Sequence, residues 1–134
     1  MSTWHGVEAN PRKVEVYKRP NGDEPFLDWM RGEDNAGRSA IIARINKLRR
    51  GILSDYDDVG DGILELRFIG PGPGYRIYCA DDGRSIVLLL CGGIKRTQAA
   101  DINYAKVLWS EYNDGKKAKP KNVEHRSFRR SVKQ

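Results

Sequence analysis

The sequence predicts an α+β domain with a small antiparallel-rich sheet, an N-terminal helical hairpin and a closing C-terminal helix. Three observations carry this. Short runs of strand-like alternation flank a block with helical spacing, three strand-like runs follow each other across turn-forming residues, and a last amphipathic segment closes the series. The expected order is strand, two helices, three strands, helix, with the helices packed on one side of the sheet.

Lys13-Val14-Glu15-Val16-Tyr17-Lys18 alternates apolar and polar residues and reads as the first strand, ended by Pro20-Asn21-Gly22. Asp23 is suited to cap a short helix carrying Phe26, Leu27, Trp29 and Met30, with Pro25 tolerated in its first turn and Gly32 at its end. A second helix is expected to start after Asn35, as its cap, and run to Arg50, because Ile41, Ile42, Ile45 and Leu48 recur at helical spacing and Gly51 follows a basic last turn. An Asp-rich stretch (Asp55, Asp57, Asp58, Asp61) reads as a loop.

Ile63–Ile69, Tyr75–Ala80 and Ser85–Cys91 then form a predicted meander. The last of these is apolar on both faces, which places it in the middle of the sheet. Gly70-Pro71-Gly72-Pro73-Gly74 joins the first two strands, and the Asp82-Gly83 pair suits a tight turn between the second and third. From Thr97, read as a cap, to Tyr112, a helix would carry Ile102, Ala105, Leu108, Trp109 and Tyr112 on one side.

The chain has 134 residues and a net charge of +6, yet the charge is unevenly placed. Residues 1–114 hold 16 Lys/Arg and 17 Asp/Glu, whereas residues 115–134 hold 8 Lys/Arg and one acid, Glu124. The division is an arm over 1–12, a domain over 13–114 and a basic, mobile tail over 115–134. Either the tail is simply solvated or it anchors phosphates with strong salt dependence. No apolar run approaches the roughly 18 residues of a membrane helix. The first residues lack the features of a signal peptide, so the cytoplasm is the expected location. Cys79 and Cys91 are too few for a disulfide framework or a zinc site and are expected to be buried thiols.

Centring the first connection between Pro71 and Gly72 places Arg67 opposite Arg76 and Glu65 opposite Tyr78, all on one face. Leu64, Leu66 and Phe68 then meet Cys79, Ile77 and Tyr75 on the other. Two arginines directly opposed repel unless an anion or a carboxylate such as Glu65 lies between them. Paired guanidinium forks suit phosphate oxygens, although partners among Glu65 and the loop aspartates would also satisfy them. The same reasoning at Asp82-Gly83 separates Cys79 from Cys91. Beyond the third strand, Gly92-Gly93 allows close backbone approach, and Lys95 lies within reach of the same anion at the start of a helix.

The blocks Leu64-Glu65-Leu66-Arg67, Gly74-Tyr75-Arg76-Ile77-Tyr78 and Gly92-Gly93-Ile94-Lys95-Arg96-Thr97-Gln98, followed by Asp101-Ile102 and Ala105-Lys106, resemble the RelE/ParE toxin superfamily. The resemblance is to its HigB-like "addiction module killer protein" branch and covers residues 13–112. It implies a RelE-like fold and a toxin of a type II toxin-antitoxin system that cleaves mRNA on the ribosome without metal or other cofactor, the ribose 2′-oxygen attacking the adjacent phosphate. It further implies a helix-turn-helix antitoxin as partner. Arg67 and Arg76 take the positions that bind the scissile phosphate, and Lys95 a basic position that neutralises charge or aids proton transfer. Glu65, Tyr78, Arg96 and Gln98 fall at substrate-binding positions, Tyr78 as a group to place the ribose or stack on a base. Some relatives use a C-terminal histidine or tyrosine for proton transfer. Here the histidines are His5 and His125 and Tyr112 reads as core, so no general base is assigned. The runners-up are a ParE-like toxin that inhibits DNA gyrase without cutting, and a non-catalytic RNA-binding protein.

Overall fold

A computed structural model describes residues 12–68, 72–84, 86–118 and 126–127. Its elements are β1 (Lys13–Val16), α1 (Pro25–Arg31), α2 (Asn35–Arg49), β2 (Tyr56–Asp58), β3 (Ile63–Arg67), β4 (Arg76–Asp81) and β5 (Ile86–Gly93). A single 3-10 turn (Lys95–Thr97) leads into α3 (Gln98–Ala118), and β6 (Arg126–Ser127) follows. The sheet runs β2-β3-β4-β5-β1-β6 and is antiparallel except where β1 lies parallel to β5. The apolar strand β5 is therefore central, with β4 on one side and β1 on the other, as its two-sided hydrophobicity requires.

The helices occupy both faces of the sheet, not one. Phe26, Leu27 and Met30 of α1 and Ile41, Ile45 and Leu48 of α2 pack on Val14, Val16, Leu64, Leu66, Ile77, Cys79, Val87 and Leu89. Ala105, Leu108 and Tyr112 of α3 pack on Tyr17, Ile63, Tyr78, Ala80, Leu88, Leu90 and Cys91 across the sheet. An amphipathic pattern fixes which side of a helix is buried but not which face of a sheet it covers. The face bearing Glu65 and Tyr78, expected to be a chemical surface, is consequently roofed by α3.

Several boundaries differ from the sequence expectation for local reasons. Asp34, not Asn35, caps α2, its side chain accepting from the Gly37 N–H at 2.8 Å. Asp23 does not cap α1, whose N-cap is Glu24 without a side-chain bond; the Asp23 N–H is bound instead by Asn21 Oδ1. Part of the Asp-rich stretch forms β2, a short edge strand paired with β3. Thr97 lies in the 3-10 turn, and α3 continues past Tyr112 to Ala118, so residues 115–118 of the expected tail are helical. Tyr112 is core, as expected. The arm, most of the tail, His5 and His125 lie outside the described residues. Among those residues, no helix is long and apolar enough to cross a membrane.

The β3–β4 register matches the expectation: Arg67 pairs with Arg76, Glu65 with Tyr78 and Leu64 with Cys79. The β4–β5 register does not. Cys79 pairs with Leu89 and Tyr78 with Cys91, with a bulge between Tyr78 and Cys79. The Asp-Gly turn is wider than two residues because Asp81 accepts from the Gly83 N–H and Asp82 from the Arg84 N–H, and the Asp82 N–H bonds the Ile86 carbonyl. The two cysteines nevertheless are not partners. Both are free and buried, in the cores of opposite faces.

Candidate functional site

Glu65 sits on β3 with no solvent exposure, so its carboxylate needs partners on every lone pair. They come from three elements. Tyr78 Oη on β4 donates to Glu65 Oε2 at 2.9 Å, and Gln98 Nε2 at the start of α3 donates to the same oxygen at 2.8 Å. Arg67 Nη1 lies 3.4 Å from Oε1, and Arg76 Nε lies 3.8 Å from Oε2, an ion-pair distance beyond hydrogen bonding. The mutual repulsion of two opposed arginines is thus offset by one buried carboxylate between them.

This arrangement corrects two of the sequence assignments. Glu65 is an internal counter-charge and does not face a substrate. Tyr78, likewise at 0% exposure, is not open to stack on a base; burial and its bond to Glu65 push its hydroxyl pKa far above the ordinary range. Gln98 contributes by pinning α3 to Glu65, although it is half-exposed.

The two arginines differ in commitment. Arg67 retains 29% side-chain exposure and is gripped by Asp55 Oδ1, which accepts from Nε at 3.2 Å and Nη2 at 3.0 Å; Asp57 lies 3.4 Å from Nη1. The hydrogen bonds that Arg67 donates to Asp55 raise the Arg67 pKa, outweighing what desolvation removes. Arg76 retains 11%, and its Nη1 donates to the Gly74 carbonyl at 2.8 Å, tying the side chain to the β3–β4 connection.

Gly74 joins this cluster to Lys95. It has φ +79°, and a Cβ there would stand 2.9 Å from Lys95 Cβ and 3.1 Å from Arg76 Nη1, so only glycine fits. The Lys95 N–H donates to the Pro73 carbonyl at 3.3 Å, and its side chain is exposed. Arg67, Arg76 and Lys95 therefore gather at one end of the sheet. Arg96 is exposed on the 3-10 turn beside Lys95.

The close approach read into Gly92-Gly93 serves the chain's own side chains. A Cβ on Gly92 would meet the Trp29 indole at 2.2 Å, and one on Gly93 would meet Asp101 Oδ2 at 1.8 Å. Asp101, which accepts from the Thr97 hydroxyl, places a carboxylate in the first turn of α3, where the helix dipole favours negative charge.

Arg44 was not singled out from the sequence, although its spacing from Ile41 and Leu48 puts it on the buried side of α2. It is 6% exposed and donates from Nε to the Arg67 carbonyl at 3.1 Å, and from Nη2 to the carbonyls of Asp55, at 2.8 Å, and Leu53. The signal available was a long cation at a core position of an amphipathic helix. Among the described residues, no group of three or more His, Cys, Asp or Glu is placed to hold a metal ion.

The fold and this centre define a class in outline: an α+β domain whose mixed sheet carries, at one end, arginines joined through a buried carboxylate. No family model matches the sequence. A protein of Haemophilus influenzae bearing only the name "Uncharacterized protein" is 44% identical over 87 residues, which is 64% of this chain and 87% of that one. The chain belongs to the same family as that protein.

Proposed function

We propose that the protein is a RelE/ParE-type toxin of the HigB-like branch, acting as a metal-independent endoribonuclease on ribosome-bound mRNA and silenced by a helix-turn-helix antitoxin. The observation that carries the reading is the direct pairing of Arg67 with Arg76 around Glu65, with Lys95 beside them across Gly74. Three cations preset at one strand end suit a phosphate whose charge grows as the ribose 2′-oxygen bonds to phosphorus and the 5′-oxygen departs. In this mechanism Arg67, held at Nε and Nη2 by Asp55, exchanges Asp57 at Nη1 for a phosphate oxygen, Arg76, steadied by the Gly74 carbonyl, offers its charge to the same phosphate, and Lys95 neutralises charge from the exposed side. The proton acceptor for the 2′-hydroxyl is not assigned to any residue.

Cleavage of mRNA in a translation extract tests this. Arg67→Ala and Arg76→Ala should each reduce the rate by about 100-fold or more, as loss of a preorganised charge at a transition state does. Unchanged cleavage in both variants would overturn the assigned chemistry. One observation favours the ParE-like alternative, a gyrase inhibitor that binds without cutting: Arg67 is already occupied by Asp55 and Asp57. Blocked supercoiling with no RNA cleavage by the wild type would select it.

A further inference from the structure

We propose that Arg44 is the positioning residue for Arg67, fixing its guanidinium through the segment Leu53–Asp55; the functional meaning of this rests on Arg67 as the phosphate-binding arginine. Burying a guanidinium is costly, and the partners Arg44 has are main-chain carbonyls, with Nη1 unbonded among the described residues. Burial accordingly lowers its pKa from the ordinary value. A group placed at such a cost inside an otherwise apolar helix face calls for a reason, and its contacts supply one.

The carbonyl of Asp55 receives two donors, Nη2 of Arg44 and the main-chain N–H of Arg67 at 2.9 Å. The side chain of the same Asp55 grips the Arg67 guanidinium. Arg44 Nε simultaneously holds the Arg67 carbonyl. Asp55 is thus locked at its backbone by Arg44 and clamps Arg67 at both backbone and side chain. Arg44 bonds the main-chain carbonyls of Leu53, Asp55 and Arg67 and is itself buried, so it acts by orientation. The planar fork is required, because an ammonium group is a single point that does not span the carbonyls of Leu53, Asp55 and Arg67 together.

The test uses the full chain labelled with 15N-arginine, reading the Nε–H resonances of Arg67 and Arg19. Arg19 pairs with Glu111 at 3.1 Å, apart from the Arg44 contacts, and serves as the internal control. In Arg44→Lys the Arg67 Nε–H should exchange with solvent about tenfold faster or more, by local opening, while Arg19 is unchanged. RNA cleavage should lose about tenfold or more in kcat with KM within about twofold, the signature of a misplaced transition-state contact. A folded Arg44→Lys protein with an unaltered Arg67 resonance would overturn the proposal. A wild type that cleaves no RNA would sink the functional reading alone, since the resonance still decides the positioning. If Arg44→Lys does not fold, the wild type itself decides: the Arg44 and Arg67 Nε–H protons should exchange together with one denaturant dependence, and separate openings would refute the link.

Discussion

The two faces of the sheet are closed by different means. Under α1 and α2 the buried side chains are aliphatic, aromatic or sulfur-bearing apart from Arg44, whereas under α3 the apolar core ends against the Glu65 network. Leu66 and Glu65 are neighbours in sequence and both have no exposure, yet one packs in the first core and the other is held by donors from β3, β4 and α3. The apolar face gains from area removed from water and relaxes when trimmed. On the α3 face stability depends on the whole set being satisfied, so losing one member strands the rest.

The sharpest test of that difference is Glu65→Leu, which should cost about 3–5 kcal/mol in denaturant unfolding by leaving the largely buried Arg76 without its carboxylate and Tyr78 and Gln98 without their acceptor. Adding Arg76→Met should recover about half of the loss, because a buried pair replaced as a unit is cheap. Independent, additive effects of the two changes would break the contrast. Ile45→Val, on the apolar face, should cost about 0.5–1.5 kcal/mol by calorimetry. It should leave the Arg67 Nε–H signal in place.

The smallest effect belongs to an ion pair closer to solvent. Glu111 accepts from Arg19 Nε and Nη2, each at 3.1 Å, and from Tyr17 Oη at 2.8 Å. Arg19 holds its carboxyl below the usual value of 4.5. A depressed folded-state pKa gives stability that is complete above 4.5 and is lost as pH falls through the folded value. Glu111→Gln should therefore flatten this part of the acid limb in a pH series of melting temperatures. The change at neutral pH should be about 0.2–1 kcal/mol, in the range of exposed pairs.

What the sequence revealed follows the range of the forces involved. The Arg67–Arg76 register was legible because a symmetrical glycine-proline connection centres the hairpin and alternation does the rest. The next hairpin was not, because Asp81 and Asp82 bond neighbouring N–H groups and a bulge shifts the pairing at Tyr78. Glu65 could be placed on the arginine face, but its burial could not, since nothing local says that α3 crosses over it. The basic end of the sheet was visible as Arg67, Arg76 and Lys95. The carboxylates facing Arg67 came from an Asp-rich stretch that reads as solvated loop until β2 is seen to pair with β3.

The place of β1 has a consequence for the time course of folding. Among the described strands it is the first in the chain, but its partner β5 comes from far along it, with Val14 beside Val87 and Val16 beside Leu89. Local hairpins can form as soon as their residues exist, whereas this parallel pairing must wait for the meander and then close a long loop. An N-terminal strand is thus left with an open edge until the central strand arrives. The slow step of folding should be the docking of β1, and a nascent chain halted before β5 should expose Val14 and Val16 to proteases and to other chains.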